Sequence, residues 1–227
     1  MILKLTPEQL YSNLVNLHLE KQTGIISFNL AGVSVKINTT DTVGNTLQAW
    51  LKQYLTDNNI YFSEPTNTQE FPDFFLDNNE PYKHMLEIKA FNYNATPAFD
   101  IANFDSYCSS VKNNPYRLDA DYLIFGYTMN KTGDITIKKI WLHKIWQIAG
   151  KSQRFALKTQ VKRDIIYNIR PNSNFKAGNA GPFKSKDDFL LAIYKTLVDY
   201  KGNRFADDWK NTLSVNYQKY YGNNLPF

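Results

Sequence analysis

FPDFFLDNNEPYKHMLEIKAF, residues 71–91, is the stretch from which the architecture of this chain can be worked out. It predicts two short strands joined by a turn. In the second strand only Glu87 and Lys89 interrupt the apolar residues 86–90. Alternate side chains of a strand point to opposite faces, so the acid and the base share one face while the apolar residues anchor the other. A charged pair on an apolar strand is costly to bury unless it is paired or binds a metal, and such a break in the pattern predicts a functional site.

A sequence pattern that begins before the second predicted strand and ends within it resembles the signature of a known family. It consists of Pro72-Asp73, a spacer, and Glu87-Ile88-Lys89 on a hydrophobic strand. This arrangement resembles the PD-(D/E)xK nuclease signature found in type II restriction endonucleases. The resemblance implies a divalent-metal-dependent phosphodiesterase that cuts double-stranded DNA at a specific short site, with Mg²⁺ as its cofactor.

The same resemblance implies a role for each residue of the pattern. Asp73 and Glu87 would hold the metal ion, and the carbonyl oxygen of Ile88 is a candidate further ligand. Lys89 would orient the attacking water and stabilise the developing negative charge, a role that suits a lysine between two carboxylates better than that of a general base. A second metal ion would need a third carboxylate, and the sequence does not choose among Glu8, Glu64 and Glu70.

Within the type II enzymes the chain is similar to the EcoRV-like branch and to the NgoBV/NlaIV group, which recognises GGNNCC. The likeness covers the catalytic region and a late loop at residues 170–183. It implies a homodimer, since two-fold DNA sites suit two-fold protein symmetry. In EcoRV-like enzymes a glutamine-bearing loop just ahead of the first catalytic Asp approaches the minor groove. Gln69 would correspond to that glutamine, although an exposed loop glutamine is an equally good interpretation.

The order of elements predicts a mixed α/β fold (α+β), with a restriction-endonuclease-like central mixed sheet flanked by helices. Residues 1–40 predict a small N-terminal helix–hairpin subdomain, because a capping-box helix start at Thr6-Pro7-Glu8-Gln9 precedes alternating residues around Ala31-Gly32. In EcoRV-like enzymes a comparable unit serves dimerisation, and the resemblance extends that role to this one. Residues 41–227 predict the nuclease domain with its late recognition loop.

Apolar periodicity predicts the individual elements. Helices are expected at residues 6–21, 46–58, 99–111, 185–200 and 204–220. Strands are expected at residues 25–30, 33–37, 122–128 and 135–142. Residues 151–163 form a strand or a short helix, and the pattern does not decide between them.

Composition limits the kind of protein. A chain of 227 residues that is 43% hydrophobic and 15% aromatic is typical of a folded globular protein with a sizeable core. The single Cys108 excludes an internal disulfide framework and predicts a reducing, cytoplasmic location. The sequence contains no apolar run of membrane-spanning length, no convincing zinc-ligand set, no phosphate-binding P-loop and no nucleophile elbow.

Positive charge is concentrated in residues 131–176. This region has eleven Lys and Arg against two acids, a net charge of +9, and since the whole chain carries +5 the remainder carries −4. A solvated basic face explains such a run, and so does contact with a phosphate backbone. Residues 170–183, RPNSNFKAGNAGPF, predict a long loop whose asparagines are suited to reading base edges. The predicted DNA-binding residues are Gln69, Lys151, Arg154, Arg170, Asn172, Asn174, Lys176 and Asn179.

Two other functions fit parts of the pattern. One is a PD-(D/E)xK repair or junction-resolving nuclease, which would share the catalytic residues but not the site specificity. The other is a non-catalytic DNA-binding protein that uses only the basic region. In that case Asp73, Glu87 and Lys89 would form a turn and a surface salt bridge on an edge strand.

Overall fold

The computed structural model describes residues 2–67 and 70–227. Its helices are α1 (Pro7–Asn16), α2 (Val43–Asp57), α3 (Phe104–Asn113), α4 (Ile145–Ile148), α5 (Lys186–Lys201) and α6 (Asn203–Tyr221). Its strands are β1 (Thr23–Ile25), β2 (Ser27–Leu30), β3 (Val33–Lys36), β4 (Phe74–Phe75), β5 (Met85–Asn92), β6 (Ala102–Asn103), β7 (Asp121–Met129), β8 (Asp134–Lys144), β9 (Thr159–Lys162) and β10 (Ile165–Ile169). The mixed α/β fold predicted from the sequence is confirmed.

The chain divides into two compact units. The first comprises the described residues up to Pro97 together with Asp121–His143, and the second comprises Ala98–Ala120 and Lys144–Phe227. The helix α1 and the β2–β3 hairpin both belong to the first unit, so the predicted subdomain boundary after residue 40 stays a prediction. Among the described residues, no helix combines the length and the apolar character that crossing a membrane requires.

The first unit is organised around a five-stranded sheet with the order β1-β8-β7-β5-β4. The strand β5 runs parallel to β7 and antiparallel to β4, so the sheet is mixed. One face of the sheet packs against the helices α1 and α2 and forms a single apolar core. The core residues include Leu10, Leu14, Leu51, Leu55, Phe74, Leu86, Ile88, Leu123, Phe125, Ile135 and Ile140.

The second unit contains the three-stranded sheet β6-β10-β9 and the helices α3 to α6. Helix α6 packs against α3 and α5. The buried indole N–H of Trp209 donates to the Cys108 carbonyl at 2.7 Å, which ties α6 to α3. The Ser185 side chain caps the N-terminus of α5, since its hydroxyl accepts from the Asp188 amide.

Several predicted boundaries are wrong for local reasons. The first helix has the predicted capping box at Thr6 and Gln9, but α1 ends at Asn16 and Leu17 is 44% exposed. Helix α3 begins at Phe104 rather than at residue 99, because the Asn103 side chain caps it by accepting from the Ser106 amide. Residues 151–163, left open by the sequence, contain the strand β9.

Candidate active site

Strand β5 carries the charged pair as the alternation predicted. Leu86 and Ile88 are buried in the core, while Glu87 and Lys89 lie on the opposite face. On that face the pair is bracketed by the buried residues Met85 and Phe91. The Lys89 ammonium lies 2.9 Å from Glu87 Oε1, and the two side chains are only 19% and 12% exposed. The pair is therefore largely withdrawn from water, unlike an ordinary surface salt bridge.

Asp73 joins this pair from the segment immediately before β4. Its backbone N–H donates to Glu87 Oε2 at 3.2 Å, and its Oδ2 accepts from the backbone N–H of Ile88 at 2.6 Å. Direct hydrogen bonds thus link four residues of the predicted motif, namely Asp73, Glu87, Ile88 and Lys89. Their separation in the chain closes because β4 and β5 are antiparallel, with Phe74 opposite Leu86.

The bond from Ile88 also fixes the direction of its carbonyl. In an extended strand the N–H and C=O of one residue point to the same side. Because the Ile88 N–H points to Asp73 rather than into the β7 ladder, its carbonyl oxygen is directed to the same side as the two carboxylates. Three oxygen-bearing groups, two carboxylates and one main-chain carbonyl, are therefore directed toward one region.

The surroundings of Asp73 strongly shift the pKa of its carboxyl group. Burial, and then the negative charge of Glu87, raise its pKa from 3.8 to about 7. The Ile88 amide and the Lys89 ammonium oppose this shift, and Glu64 adds a small unfavourable charge. When Asp73 is ionised, it and Glu87 carry two negative charges against the single positive charge of Lys89, and a bound cation would relieve the repulsion.

The raised pKa of Asp73 predicts a pH-dependent stability in the metal-free protein. The folded state holds the Asp73 proton up to about pH 7, whereas the unfolded chain releases it near pH 3.8. Stability should therefore fall as pH rises between these values, by up to about 4 kcal/mol. We expect urea denaturation in EDTA, from pH 5 to pH 8, to show this fall in the wild type but not in Asp73→Asn. Parallel profiles for the two proteins would contradict it.

The residues present fit a divalent cation with oxygen ligands. Mg²⁺ is commonly held by one or two carboxylates and keeps several waters, so Asp73, Glu87 and the Ile88 carbonyl form a suitable donor set. Within residues 2–67 and 70–227, no group of three His, Cys, Asp or Glu side chains comes together. Of the candidates for a third carboxylate, Glu64 is held by Lys52 at 2.5 Å, and Glu8 and Glu70 are exposed.

The predicted loop at residues 170–183 lies in the second unit and is well structured. Asn172 is buried, and its amide donates to the carbonyls of Gln147 and Ala149 at 3.0 and 2.9 Å. Its Oδ1 accepts from the backbone amides of Asn174 and Phe175. Because both ends of this amide are occupied inside the protein, the geometry assigns Asn172 to holding the loop rather than to contacting a base.

Other predicted loop residues are accessible. Asn174 and Asn179 are exposed, and Lys176 is half-buried. The tip is held close to the protein at Gly181, where a Cβ atom would lie 2.4 Å from the Gln147 carbonyl oxygen. Only glycine fits there, because any larger residue would collide with that carbonyl oxygen.

The predicted basic residues of the second unit differ in how firmly they are held. Lys151 lies 5.2 Å above the Phe183 ring, and Arg154 pairs with Asp164 at 2.8 Å at an exposed position. Arg170 forms an ion pair with Asp100, and its side chain is 24% exposed. Gln69 lies outside the described residues.

One site residue was missed by the sequence reasoning. The Gln48 side-chain amide, on α2, donates to Asp73 Oδ1 at 2.8 Å. A glutamine on an amphipathic helix is not distinctive, and its partner lies 25 residues away in the chain, so the sequence carries no local signal for this contact.

Comparisons with known proteins agree with this fold. The family model described as NgoBV restriction endonuclease matches residues 4–227. The type II restriction enzyme NlaIV of Neisseria lactamica is 38% identical over 228 residues, covering 99% of this chain and 94% of that protein. The type II restriction enzyme NgoBV of Neisseria gonorrhoeae is 37% identical over 163 residues, covering 71% of this chain and 93% of that protein. A solved structure of NlaIV restriction endonuclease matches with a TM-score of 0.91 and 37% identity, over 100% of this chain and 94% of its own.

The class is therefore that of the type II restriction endonucleases, the site-specific deoxyribonucleases expected from the motif. The chain belongs to the NgoBV restriction endonuclease family. The family resemblance predicted from residues 71–91 is confirmed.

Proposed function

We propose that this chain cleaves double-stranded DNA at a specific short site by Mg²⁺-dependent hydrolysis, with Asp73, Glu87 and Lys89 as its catalytic residues. The observation that carries the proposal is their hydrogen-bonded convergence on β5 in a chain of this family. A non-catalytic DNA-binding protein has no need of a half-buried acid–acid–base cluster. The ion pair with Lys89 offsets part of the cost of burying the two acids, and a bound cation would offset more of it.

Each group of the candidate active site would have its own role in the hydrolysis. Asp73, Glu87 and the Ile88 carbonyl would hold Mg²⁺, which when bound supplies positive charge to the scissile phosphate and acidifies a water. Lys89 is held against Glu87 and presents an ammonium at the edge of the site. A cation paired with a carboxylate is a poor proton acceptor, so Lys89 orients the attacking water and stabilises negative charge as it develops.

Accessible basic and amide side chains of the second unit would contact the DNA. The Arg154–Asp164 pair is 56% and 89% exposed, so a phosphate can replace the aspartate at little cost. Lys151, Arg170 and Lys176 would add further positive charge, which contributes affinity but not sequence discrimination. Discrimination would then come from amides such as those of Asn174 and Asn179, which suit hydrogen bonding to base edges.

Substitutions in the loop should have two different effects: some should reduce DNA discrimination and others should reduce stability. We expect Asn179→Ala to reduce discrimination between specific and random duplexes by about tenfold to a hundredfold, with little loss of stability. Asn172→Ala should instead lower the free energy of unfolding by roughly 2–4 kcal/mol, because buried groups lose their partners. Fluorescence anisotropy and urea denaturation measure the two effects, with Asn211→Ala on α6 as an exposed control. Equal loss of binding to both duplexes in Asn179→Ala would contradict the prediction.

A homodimer is part of the proposal, and the β2–β3 hairpin offers a surface for it. Among the described strands, β2 and β3 pair only with each other. Phe28, Leu30, Val33 and Val35 lie on one face of this hairpin and are 48–65% exposed. An isolated two-stranded hairpin is marginally stable, and an apolar face of this kind is typical of a protein interface. In a two-fold dimer the same patch of a second copy would cover it.

Charge placed on that face should weaken the dimer. We expect Phe28→Lys to raise the dimer dissociation constant at least about tenfold, since it buries an unpaired ammonium in an apolar contact. Asn29→Lys adds the same charge on the opposite face of the same strand and serves as the control. Sedimentation velocity measures both. The hairpin would not be a dimer interface if the wild type stayed monomeric at tens of micromolar. The same would follow if the two variants had equal dissociation constants.

Digestion of a fully sequenced plasmid tests the activity itself. Discrete fragments that require Mg²⁺ are expected, and sequencing their ends gives the recognition site, for which the family resemblance implies GGNNCC. A repair or junction-resolving nuclease would instead nick or degrade without a fixed set of bands. If Asp73→Ala and Lys89→Ala leave every activity unchanged, only the DNA-binding alternative survives.

A cytoplasmic location also stays a prediction.

A further inference from the structure

The helix α2 reaches the candidate metal site through one side chain. Gln48 Nε2 donates to Asp73 Oδ1 at 2.8 Å, while the Ile88 amide holds Oδ2 at 2.6 Å. Each oxygen of the Asp73 carboxylate thus has one fixed donor. Because the donors come from different elements, the carboxylate cannot rotate about its Cβ–Cγ bond without losing one of them.

The chemistry of Gln48 suits an ionised ligand. A carboxylate only accepts hydrogen bonds, so the amide must present its NH₂ end to Asp73 when that group holds a cation. A carboxylate has about four lone-pair positions, and two donors leave the others for a metal ion. An amide brings no charge of its own, so α2 orients the ligand without adding a third carboxylate.

We propose that Gln48 is a positioning residue for Asp73, fixing its carboxylate for the divalent cation and keeping the site to two acidic side chains. The proposal rests on the function proposed above. Hydrogen-bond partners of metal ligands commonly contribute tenfold to a hundredfold to metal affinity. Gln48 would therefore act through Asp73 rather than by touching the DNA.

Two substitutions of Gln48 should move cation affinity in opposite directions. Gln48→Met keeps length and helix propensity but removes the donor, and we expect it to weaken Mn²⁺ binding about tenfold to a hundredfold. Gln48→Glu replaces the donor by a third carboxylate, and we expect it to bind Mn²⁺ at least about tenfold more tightly than the wild type. A contact that merely packed α2 against the sheet would weaken binding in both variants.

Electron paramagnetic resonance of free Mn²⁺ measures binding without any turnover. The matched controls are Gln53→Met and Gln53→Glu, since Gln53 also donates to an acid, Asp57, from the exposed side of α2. Both controls should bind Mn²⁺ as the wild type does. In cleavage assays at saturating Mg²⁺, Gln48→Met should lower kcat and leave the KM for DNA unchanged.

The outcomes separate this proposal from the one on which it rests. If the wild type binds Mn²⁺ and Asp73→Asn abolishes that binding, but Gln48→Met binds normally, the positioning role is overturned and the metal site stands. Equal shifts for Gln48→Glu and Gln53→Glu would also overturn it, because general charge would then explain the gain. If the wild type takes up no Mn²⁺, the metal site and the positioning role fall together.

Discussion

Asp73→Asn is expected to abolish DNA cleavage while making the metal-free protein more stable at pH 8. Activity should fall roughly 10³-fold or more, since a neutral amide removes the anionic ligand and with it the electrostatic stabilisation of the transition state. Stability should rise because burial and the repulsion from Glu87, which raise the pKa of Asp73 to about 7, act on the charged carboxylate and not on an amide.

The asparagine side chain can keep both hydrogen bonds of the native residue. Its oxygen can accept from the Ile88 amide, and Gln48 can turn its own amide to present the oxygen to the new NH₂ group. Inactivity would therefore not come from misfolding. Plasmid cleavage, DNA binding in Ca²⁺ and urea denaturation in EDTA together measure the prediction.

Asp77→Asn is the matched control, four residues further along the same hairpin. The Asn79 amide and the Lys4 ammonium stabilise the Asp77 carboxylate and lower its pKa. Its substitution should thus leave cleavage intact and, at neutral pH, slightly lower stability, the opposite sign to Asp73→Asn. An Asp73→Asn protein that is active, or one that is less stable than the wild type in EDTA at pH 8, would contradict the assigned role.

Lys89→Met is expected to lower the cleavage rate about 10²–10³-fold without loss of cation binding. The methionine side chain has a similar length and fits between Met85 and Phe91, but it cannot orient water or stabilise negative charge. Cation binding should persist or strengthen, because the only positive charge of the described cluster is removed. Asp73→Asn should lose both properties, so the pair of variants separates a metal ligand from a water-orienting residue.

Single-turnover cleavage and Mn²⁺ binding measure the Lys89 prediction. Lys83→Met is the control, since Lys83 also pairs with a glutamate, Glu80 at 2.6 Å, but at an exposed position outside the cluster. It should cleave at the wild-type rate. Equal losses of Mn²⁺ binding and of activity in Lys89→Met would place the lysine among the groups that hold the metal site together.

The sequence alone determined the family and the strand that carries the proposed catalytic residues. Glu87 and Lys89 share a face of β5 because strand side chains alternate strictly, and that rule needs no knowledge of distant residues. The same local chemistry determined the capping box at Thr6 and the hairpin at Ala31-Gly32, and both are present. The PD and ExK elements lie close enough in the chain for an antiparallel pairing to bring them together, so the spacing was informative.

Only the tertiary structure decided how the neighbouring polar residues are used. The loop asparagines Asn172 and Asn179 look alike in sequence, yet Asn172 is buried with both amide ends engaged and Asn179 is exposed. Gln48 had no distinguishing feature until the packing of α2 beside β5 brought its amide to Asp73. The physical reason is the range of the interactions. Side-chain periodicity and capping act over a few residues, whereas a hydrogen bond between distant residues depends on how whole elements pack.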